Sequence, residues 1–444
     1  MIKYTRLFIT FLLAVAAFGA KAQSTATTSS PYSRYGLGLM DDQLLPQNIG
    51  MGGLSAAVNT ISGFNSINIV NPASYGKINF TTIDAGIYTN VNTLSNNISG
   101  VKTNETNTNT RFSHITFAIP VNKHSALSFG LVPYSELGYN YKTTKTGLGS
   151  GSPADTNVTN YIYSGDGGLS KAYLGYGFGI GKHLLIGANI SYIFGNLEQD
   201  QSTEVPGLYG TLDSRISQQN HVGGINYDYG AQYSIDFSET KHLILGYSAS
   251  ASSRLNVQNS LVVSQYFYDS NGNQNPASDT LVNNQSPNGK IQLPQINHFG
   301  ITFVKEGNFM IGAQYTTGKW SNLTIAGVNQ GLQDSKTFNL GGQFTPNQNS
   351  LSNYLALLDY RLGIIYEDTY INVGGVTIKR YAATLGLGIP LPHDRASLAF
   401  YKINFSAEIG KQGTQANGLV QENYVNFHLG FTLNDKWFQR YRYE

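Results

Sequence analysis

Cysteine is absent from the 444 residues, and several other residue types are scarce. Without cysteine the chain can form neither disulfides nor thiolate metal sites, and it offers no cysteine for lipid attachment. Charged residues make up only 12% of the chain, a low share for a water-soluble enzyme. Beyond the N-terminus no stretch of eighteen consecutive apolar residues occurs, so the sequence predicts no transmembrane helix. A membrane span made of strands stays open, because each such strand needs only one apolar face.

The first 22 residues have the pattern of a cleaved export signal. Lys3 and Arg6 precede the apolar run "LFITFLLAVAAFG" (7–19), and Ala20-Lys21-Ala22 fits an A-x-A cleavage site. Removing these three basic residues from the 28 leaves 25, against 26 acidic residues. This near-neutral balance argues against a nucleic-acid partner, which requires a dense basic face.

From residue 78 onward, apolar and polar residues alternate in segment after segment with the two-residue period of a strand. In 184–195, Ile190 and Tyr192 share an apolar face, whereas Asn189 and Ser191 lie on the other. Fourteen such strands are predicted, near 78–90, 111–122, 126–142, 168–180, 184–197, 222–236, 242–257, 293–304, 308–317, 336–344, 356–368, 381–391, 398–411 and 423–433.

The connections between these strands alternate in length. Short ones, such as 181–183, alternate with long ones, such as 91–110, 143–167 and 198–221. Antiparallel strands send successive connections to opposite ends, and outer-membrane barrels have short periplasmic turns and longer external loops. The sequence therefore predicts an all-β fold, an antiparallel transmembrane β-barrel of about 14 strands over 78–444, in the outer membrane of a Gram-negative bacterium.

Residues 23–77 lack strand periodicity but carry more apolar residues than a linker needs. A barrel of fourteen strands is too wide for its wall side chains to fill, so its interior is either a channel or plugged. Gly175, Gly177 and Gly179 lie on one face of a predicted strand and would let another backbone approach closely. We expect 23–77 to form a hatch or plug inside the barrel, although the glycines would also permit strand curvature.

Several motifs, in this order along the chain, resemble those of the FadL-type outer-membrane transport proteins. "NPASY" (71–75) stands just before the first strand, and "VPYSELGYNY" (132–141) is similar to the family's proline-containing strand. "QLPQINHFGITF" (292–303), followed by "FMIGAQYTTGKWS" (309–321), is similar to its Leu-Pro, strand, turn and strand pattern. The resemblance covers most of the chain and indicates a poorly characterised branch with PorV-like relatives.

The resemblance implies uptake of hydrophobic, fatty-acid-like small molecules through a plugged barrel that sits in outer-membrane lipid. It assigns ligand contact and hatch movement to eight residues: Ile61, Phe64, Ile67, Ile69, Val70, Asn71, Pro72 and Ala73. The alternative is a non-transporting barrel subunit or carrier of an outer-membrane secretion or assembly machine, as in PorV-like proteins, with a protein complex as its partner. A nonspecific porin is disfavoured, because the N-terminal segment would block it.

Polar residues at inward strand positions are the other candidate ligand contacts, chiefly Arg361, Lys402, Asp228 and Glu408. Arg361 or Lys402 could bind a carboxylate headgroup, or these charges could pair across neighbouring strands, which is the commoner arrangement. No G-x-S-x-G, P-loop or H-E-x-x-H motif occurs, so neither an enzyme, nor a metal site, nor a cofactor is predicted.

Overall fold

Fourteen antiparallel strands close into a barrel in the computed structural model of this chain. The structure describes residues 28–61, 64–98, 101–146, 157–206, 211–269, 273–275, 277–392 and 399–436, without the side chains of 64, 98 and 286–288. The predicted export signal, 1–22, lies outside the described residues.

The barrel strands run in chain order around the wall. They are β1 Thr81–Ile98, β2 Val101–Asn122, β3 Ser125–Thr146, β4 Val158–Ile180, β5 Leu184–Glu204, β6 Asp213–Ser238, β7 Lys241–Ser250 with Arg254–Tyr266, β8 Asp279–Gln292 with Ile296–Lys305, β9 Phe309–Gly318, β10 Ser335–Phe344, β11 Asp359–Val373, β12 Val376–Pro390, β13 Phe400–Gly413 and β14 Gln421–Asp435. β14 pairs with β1, which closes the barrel without a free edge. The prediction of fourteen strands is therefore confirmed.

The predicted alternation of faces is also confirmed. Ile190 and Tyr192 on β5 are exposed on the outside, whereas Asn189 and Ser191, which alternate with them, are buried in the interior. The wall is thus apolar on the outside and polar on the inside, which is the arrangement of a barrel that spans an outer membrane.

The predicted long loops are wrong over much of their length, because the strands continue through them. β1 and β2 pair as far as Ile98 and Val101, where a loop at 91–110 was expected. Thr89 faces Thr110 and Thr93 faces Thr106, each with 3.0 Å between the hydroxyl oxygens. Beyond the lipid a strand needs no apolar face, so its polar sequence resembles that of a loop although its backbone ladder persists.

Two strands are interrupted at neighbouring positions. β7 breaks at 251–253 and β8 at 293–295, where Pro294 cannot donate a ladder hydrogen bond. Leu293 instead donates its backbone N–H to Ser253 O at 2.9 Å, which joins the two breaks.

Residues 28–80 precede β1 and are called here the N-terminal segment. It contains 3₁₀ helices Pro31–Arg34 and Pro72–Lys77, an α-helical turn Pro46–Ile49, and short strands Leu39–Met40, Thr60–Ile61 and Phe64–Asn65. Leu39–Met40 pairs with Glu136 and Ser135 of β3. Between β9 and β10 lie a 3₁₀ helix, Trp320–Asn322, and the short strands Thr324–Ile325 and Val328–Asn329. A 3₁₀ turn at Tyr354–Leu357 lies between β10 and β11, and another at Ala416–Gly418 lies between β13 and β14.

Candidate functional site: the N-terminal segment and the barrel interior

A set of inward-facing glycines brings the wall into direct contact with the N-terminal segment, with its backbone at every position except Gly230, which meets the Asn71 side chain. This set, called here the glycine belt, comprises Gly177, Gly187, Gly230, Gly246, Gly300, Gly341 and Gly363. Gly187 lies opposite both Gly177 and Gly230, Gly246 opposite Gly300, and Gly341 opposite Gly363. The belt therefore runs across neighbouring strands as cross-strand pairs.

A side chain at any belt position would collide with the N-terminal segment. A Cβ at Gly177 or Gly187 would fall on the carbonyl oxygen of Pro72, and one at Gly300 would lie 2.9 Å from the amide nitrogen of Ala57. These obstacles are backbone atoms, which cannot rotate away. The predicted close approach of another backbone to β4 is confirmed at Gly177, where Pro72 O lies against the strand. A Cβ at Gly175 would instead meet the side chains of Asn189 and Tyr75, and the atoms nearest to a Cβ at Gly179 belong to Leu185 and His124.

Polar wall side chains satisfy the backbone groups of the N-terminal segment. Gln314 Oε1 accepts hydrogen bonds from the amides of Ser55 (2.9 Å) and Ala56 (2.8 Å). Asn339 donates to Gly52 O at 2.6 Å, and Thr384 accepts from Gly52 N at 2.9 Å. A buried backbone group needs such a partner, so these side chains fix the irregular segment in place.

Asn71 links the N-terminal segment to the wall. Its side-chain oxygen accepts from the amide of Ala73 at 3.1 Å and begins the helix at Pro72. Its side-chain nitrogen donates to Ala56 O at 2.5 Å and to Tyr247 O of β7 at 3.3 Å. Asn71, Pro72 and Ala73 are all buried, so in this structure the motif is a structural joint.

The apolar residues expected to contact a ligand are mostly packed. Ile61 packs with Met51, Leu54 and Val58 of the segment and with Met310 of β9. Ile67 and Ile69 pack with Leu45, Tyr75, Ile78 and wall residues of β2, β3 and β4. Val70 and Ile69 also border an interior cavity, whereas the side chain of Phe64 lies outside the described part of the chain.

The four predicted interior polar residues are buried and hold neighbouring groups. Arg361 donates to Asp359 at 2.8 Å, and Lys402 donates to the same carboxylate oxygen at 2.7 Å. Asp228 accepts from Lys171 at 2.7 Å. Glu408 accepts from Tyr424 at 2.7 Å and lies 3.5 Å from Arg380. The charges thus pair across strands; whether Arg361 or Lys402 ever binds a headgroup stays a prediction.

A cavity of about 290 Å³ lies between the N-terminal segment and the wall. Ion pairs cross it, since Arg111 contacts Asp41 at 3.0 Å and also Glu136, and Arg380 contacts Asp42 at 3.2 Å. Both aspartates belong to the N-terminal segment. An apolar guest here would remove water from these charges at a large cost in free energy, so the cavity suits water or a polar guest.

An apolar cluster fills the barrel interior near the β9–β10 connection. Leu37 of the N-terminal segment packs there with Trp320, Leu323 and other buried residues. Trp320 stacks on Tyr370 with 4.5 Å between ring centroids, and the Tyr370 hydroxyl donates to Gly38 O at 2.8 Å. The segment is therefore held by apolar packing here and by hydrogen bonds at the glycine belt.

Within the described ranges, no group of three or more His, Cys, Asp and Glu side chains is arranged to hold a metal ion. Among the same residues there is also no helix of the length and apolarity that crossing a membrane demands.

Sequence reasoning missed Gln314, Asn339 and Thr384. Each stands at an inward position of its strand, but a neutral side chain gives no signal until its backbone partner is known. The glycines at inward positions of successive strands were the available sign that another backbone lies against the wall.

Solved structures with this fold include three that match at low sequence identity. The toluene transporter TodX of P. putida is 13% identical with a TM-score of 0.60, and the match covers 88% of this chain and 98% of that one. The Ralstonia pickettii toluene transporter TbuX is 13% identical with a TM-score of 0.53, and the match covers 88% of this chain and 98% of that one. A Pseudomonas aeruginosa FadL homologue is 13% identical with a TM-score of 0.54, and the match covers 90% of this chain and 99% of that one.

The FadL-type fold expected from the motifs is therefore confirmed, and these solved relatives are transport channels rather than enzymes. Relatives of this kind, together with the apolar outer wall, support an outer-membrane location. No curated protein matches the sequence. The family model described as BamG matches residues 1–444, and the chain belongs to the BamG family.

Proposed function

We propose that residues 23–77 are a plug that closes the barrel formed by 78–444, and that an export signal at 1–22 is removed first. The glycine belt carries this proposal, because it supports direct backbone contact of the segment with β4, β5, β7, β8, β10 and β11. The ion pairs of Asp41 with Arg111 and of Asp42 with Arg380 add to it. A segment that merely passed through the lumen would need none of these contacts.

The plugged barrel serves, on this proposal, as a non-transporting subunit of an outer-membrane assembly machine. The observation that favours this role is that ion pairs cross the cavity, so a hydrophobic solute passing through it would have to displace water from charged groups. The family carries a Bam name, and we take that name as a further argument for a place in such a machine.

Uptake of a hydrophobic, fatty-acid-like molecule is the second candidate function. The likeness to TodX and TbuX, described as toluene transporters, favours it, as does the apolar cluster around Trp320 and Leu323. A ligand would have to separate that cluster and then displace the plug at Ile69, Val70 and Asn71. Arg361 or Lys402 would become available to a carboxylate only after such a movement.

One experiment distinguishes the two roles. The tagged full-length chain is extracted from its native outer membrane in mild detergent, and all bound proteins and small molecules are identified by mass spectrometry. An unrelated barrel of the same membrane, carrying the same tag, is the control. A stoichiometric protein partner absent from the control supports the subunit. A discrete hydrophobic molecule without such a partner contradicts the subunit role and supports uptake.

A further inference from the structure

The outer wall of β8 to β13 carries an apolar groove with aromatic residues along one side. It has a volume of about 1060 Å³ and is bordered by Leu340, Ile364 and Ile409, among others. Ala313 and Ala383 lie at outward positions between these large side chains, since Ala313 is opposite Leu340 and Ala383 is opposite both Ile364 and Ile409. The small alanines form the low points of the groove.

A row of aromatic rings crosses the same strands toward the end at which residues 319–334 connect β9 to β10 and at which β1 to β6 extend furthest. Tyr315 and Phe338 lie 4.7 Å apart between ring centroids, and Tyr366 and Tyr381 lie 5.3 Å apart. Aromatic girdles mark the two membrane–water interfaces of outer-membrane barrels, and the chain projects further beyond the lipid on the external side. We therefore expect the external lipid headgroups to lie just beyond this row.

Two lysines stand at that headgroup level, and a third stands in the aromatic row. Lys336 lies opposite Asp368, and Asp368 lies opposite Lys379, while Lys411 lies opposite Tyr381 in the aromatic row. All three lysines are exposed on the outside. Asp368, whose carboxylate lies 3.3 Å from the Lys379 ammonium, is the single outward acidic residue of the described strands β10 to β13. The three lysines therefore give this part of the outer surface an excess of positive charge.

We propose that this surface binds a phosphate-bearing lipid of the external leaflet. Its acyl chains lie in the groove above Ala313 and Ala383, and its phosphate contacts Lys336, Lys379 and Lys411. The lysines are spaced for this, because neighbouring strands lie roughly 5 Å apart and Lys336 and Lys379 are two strands apart. The proposal rests on the outer-membrane location and holds whether or not the barrel transports a solute.

The test uses the full-length protein in detergent and native mass spectrometry, with a bis-phosphorylated, multiply acylated glucosamine disaccharide as probe. The variant K336Q/K379Q/K411Q should bind it roughly 10- to 100-fold more weakly than the unaltered protein, because each lysine near an anionic lipid surface contributes severalfold. The matched control K102Q/K142Q/K145Q removes three exposed lysines of β2 and β3 and should change nothing.

Two further measurements make the outcome specific. Removing the phosphates from the probe should weaken binding to the unaltered protein by a similar factor and leave the triple variant unaffected. Ala383→Phe, which fills the groove, should weaken binding, whereas Ala188→Phe on the outside of β5 should not. Equal binding by the triple lysine variant and its control would overturn the proposal. So would a photo-crosslinker at position 383 that captures a protein instead of lipid in the native membrane.

Discussion

Replacing Gly177 with alanine should loosen the N-terminal segment while leaving the barrel wall intact. The new Cβ would fall on the carbonyl oxygen of Pro72 and would also lie 2.8 Å from Cβ of Tyr75. Overpacking of this kind costs about 1–3 kcal/mol, and the lower entropy of an unfolded chain with alanine offsets at most ~1 kcal/mol of it. Because a carbonyl oxygen cannot rotate away, the strain falls on the contact between segment and wall.

Amide hydrogen exchange measures this effect locally. A loss of about 1–2 kcal/mol in docking free energy raises the exchange rate of the segment by roughly 5- to 30-fold. The increase should be confined to residues around 68–76, with unchanged protection in β4 and β5. Gly179→Ala is the matched control, because Gly179 lies on the same face of β4 and the atoms nearest to its new Cβ would belong to Leu185 and His124, none closer than 3.3 Å. Equal exchange in the two variants would refute the view that the belt fixes the segment.

Two buried polar contacts give further predictions. Gln314→Leu leaves the buried amides of Ser55 and Ala56 without an acceptor and should destabilise docking of the segment by about 2–4 kcal/mol. Proteolysis of the segment should then be faster than in the unaltered protein, and cleavage at the unaltered rate would contradict this prediction. Asp359→Asn removes the carboxylate that Lys402 contacts and should lower barrel stability in urea by about 3–5 kcal/mol, whereas Asp334→Asn at a solvent-exposed pair should have a far smaller effect. Similar losses in the last two variants would show that burial does not govern the strength of these pairs.

The barrel was predictable from the sequence because lipid imposes a strict rule on its wall. Outward positions such as Tyr192 must be apolar, and inward ones such as Ser191 are free to be polar, so strand number and facing appear as a period of two. Where a strand extends beyond the lipid, its outward positions no longer need to be apolar. The paired threonines Thr93 and Thr106 therefore looked like loop residues, although they extend a strand pair.

The interior was only partly predictable. Pairing of Arg361 and Lys402 with a carboxylate followed from general experience of barrel interiors, and the close approach at Gly177 followed from its inward position. By contrast, the partners of Gln314 are backbone amides more than 250 residues away along the chain. An irregular segment has no period from which its path through the barrel could be inferred.

Conductance in planar lipid bilayers tests most directly whether the N-terminal segment closes the barrel. Met40 and Ser135 lie opposite each other in a strand pair, at a spacing that suits a disulfide, and the chain has no native cysteine to interfere. The variant M40C/S135C, oxidised, therefore serves as a locked control beside the unaltered protein and a variant lacking residues 31–70. The account predicts that the unaltered and locked proteins are silent and that the deletion variant, shown to be folded by its β-sheet spectrum, conducts ions steadily. Steady conductance by the locked protein, or silence of the folded deletion variant, would contradict it.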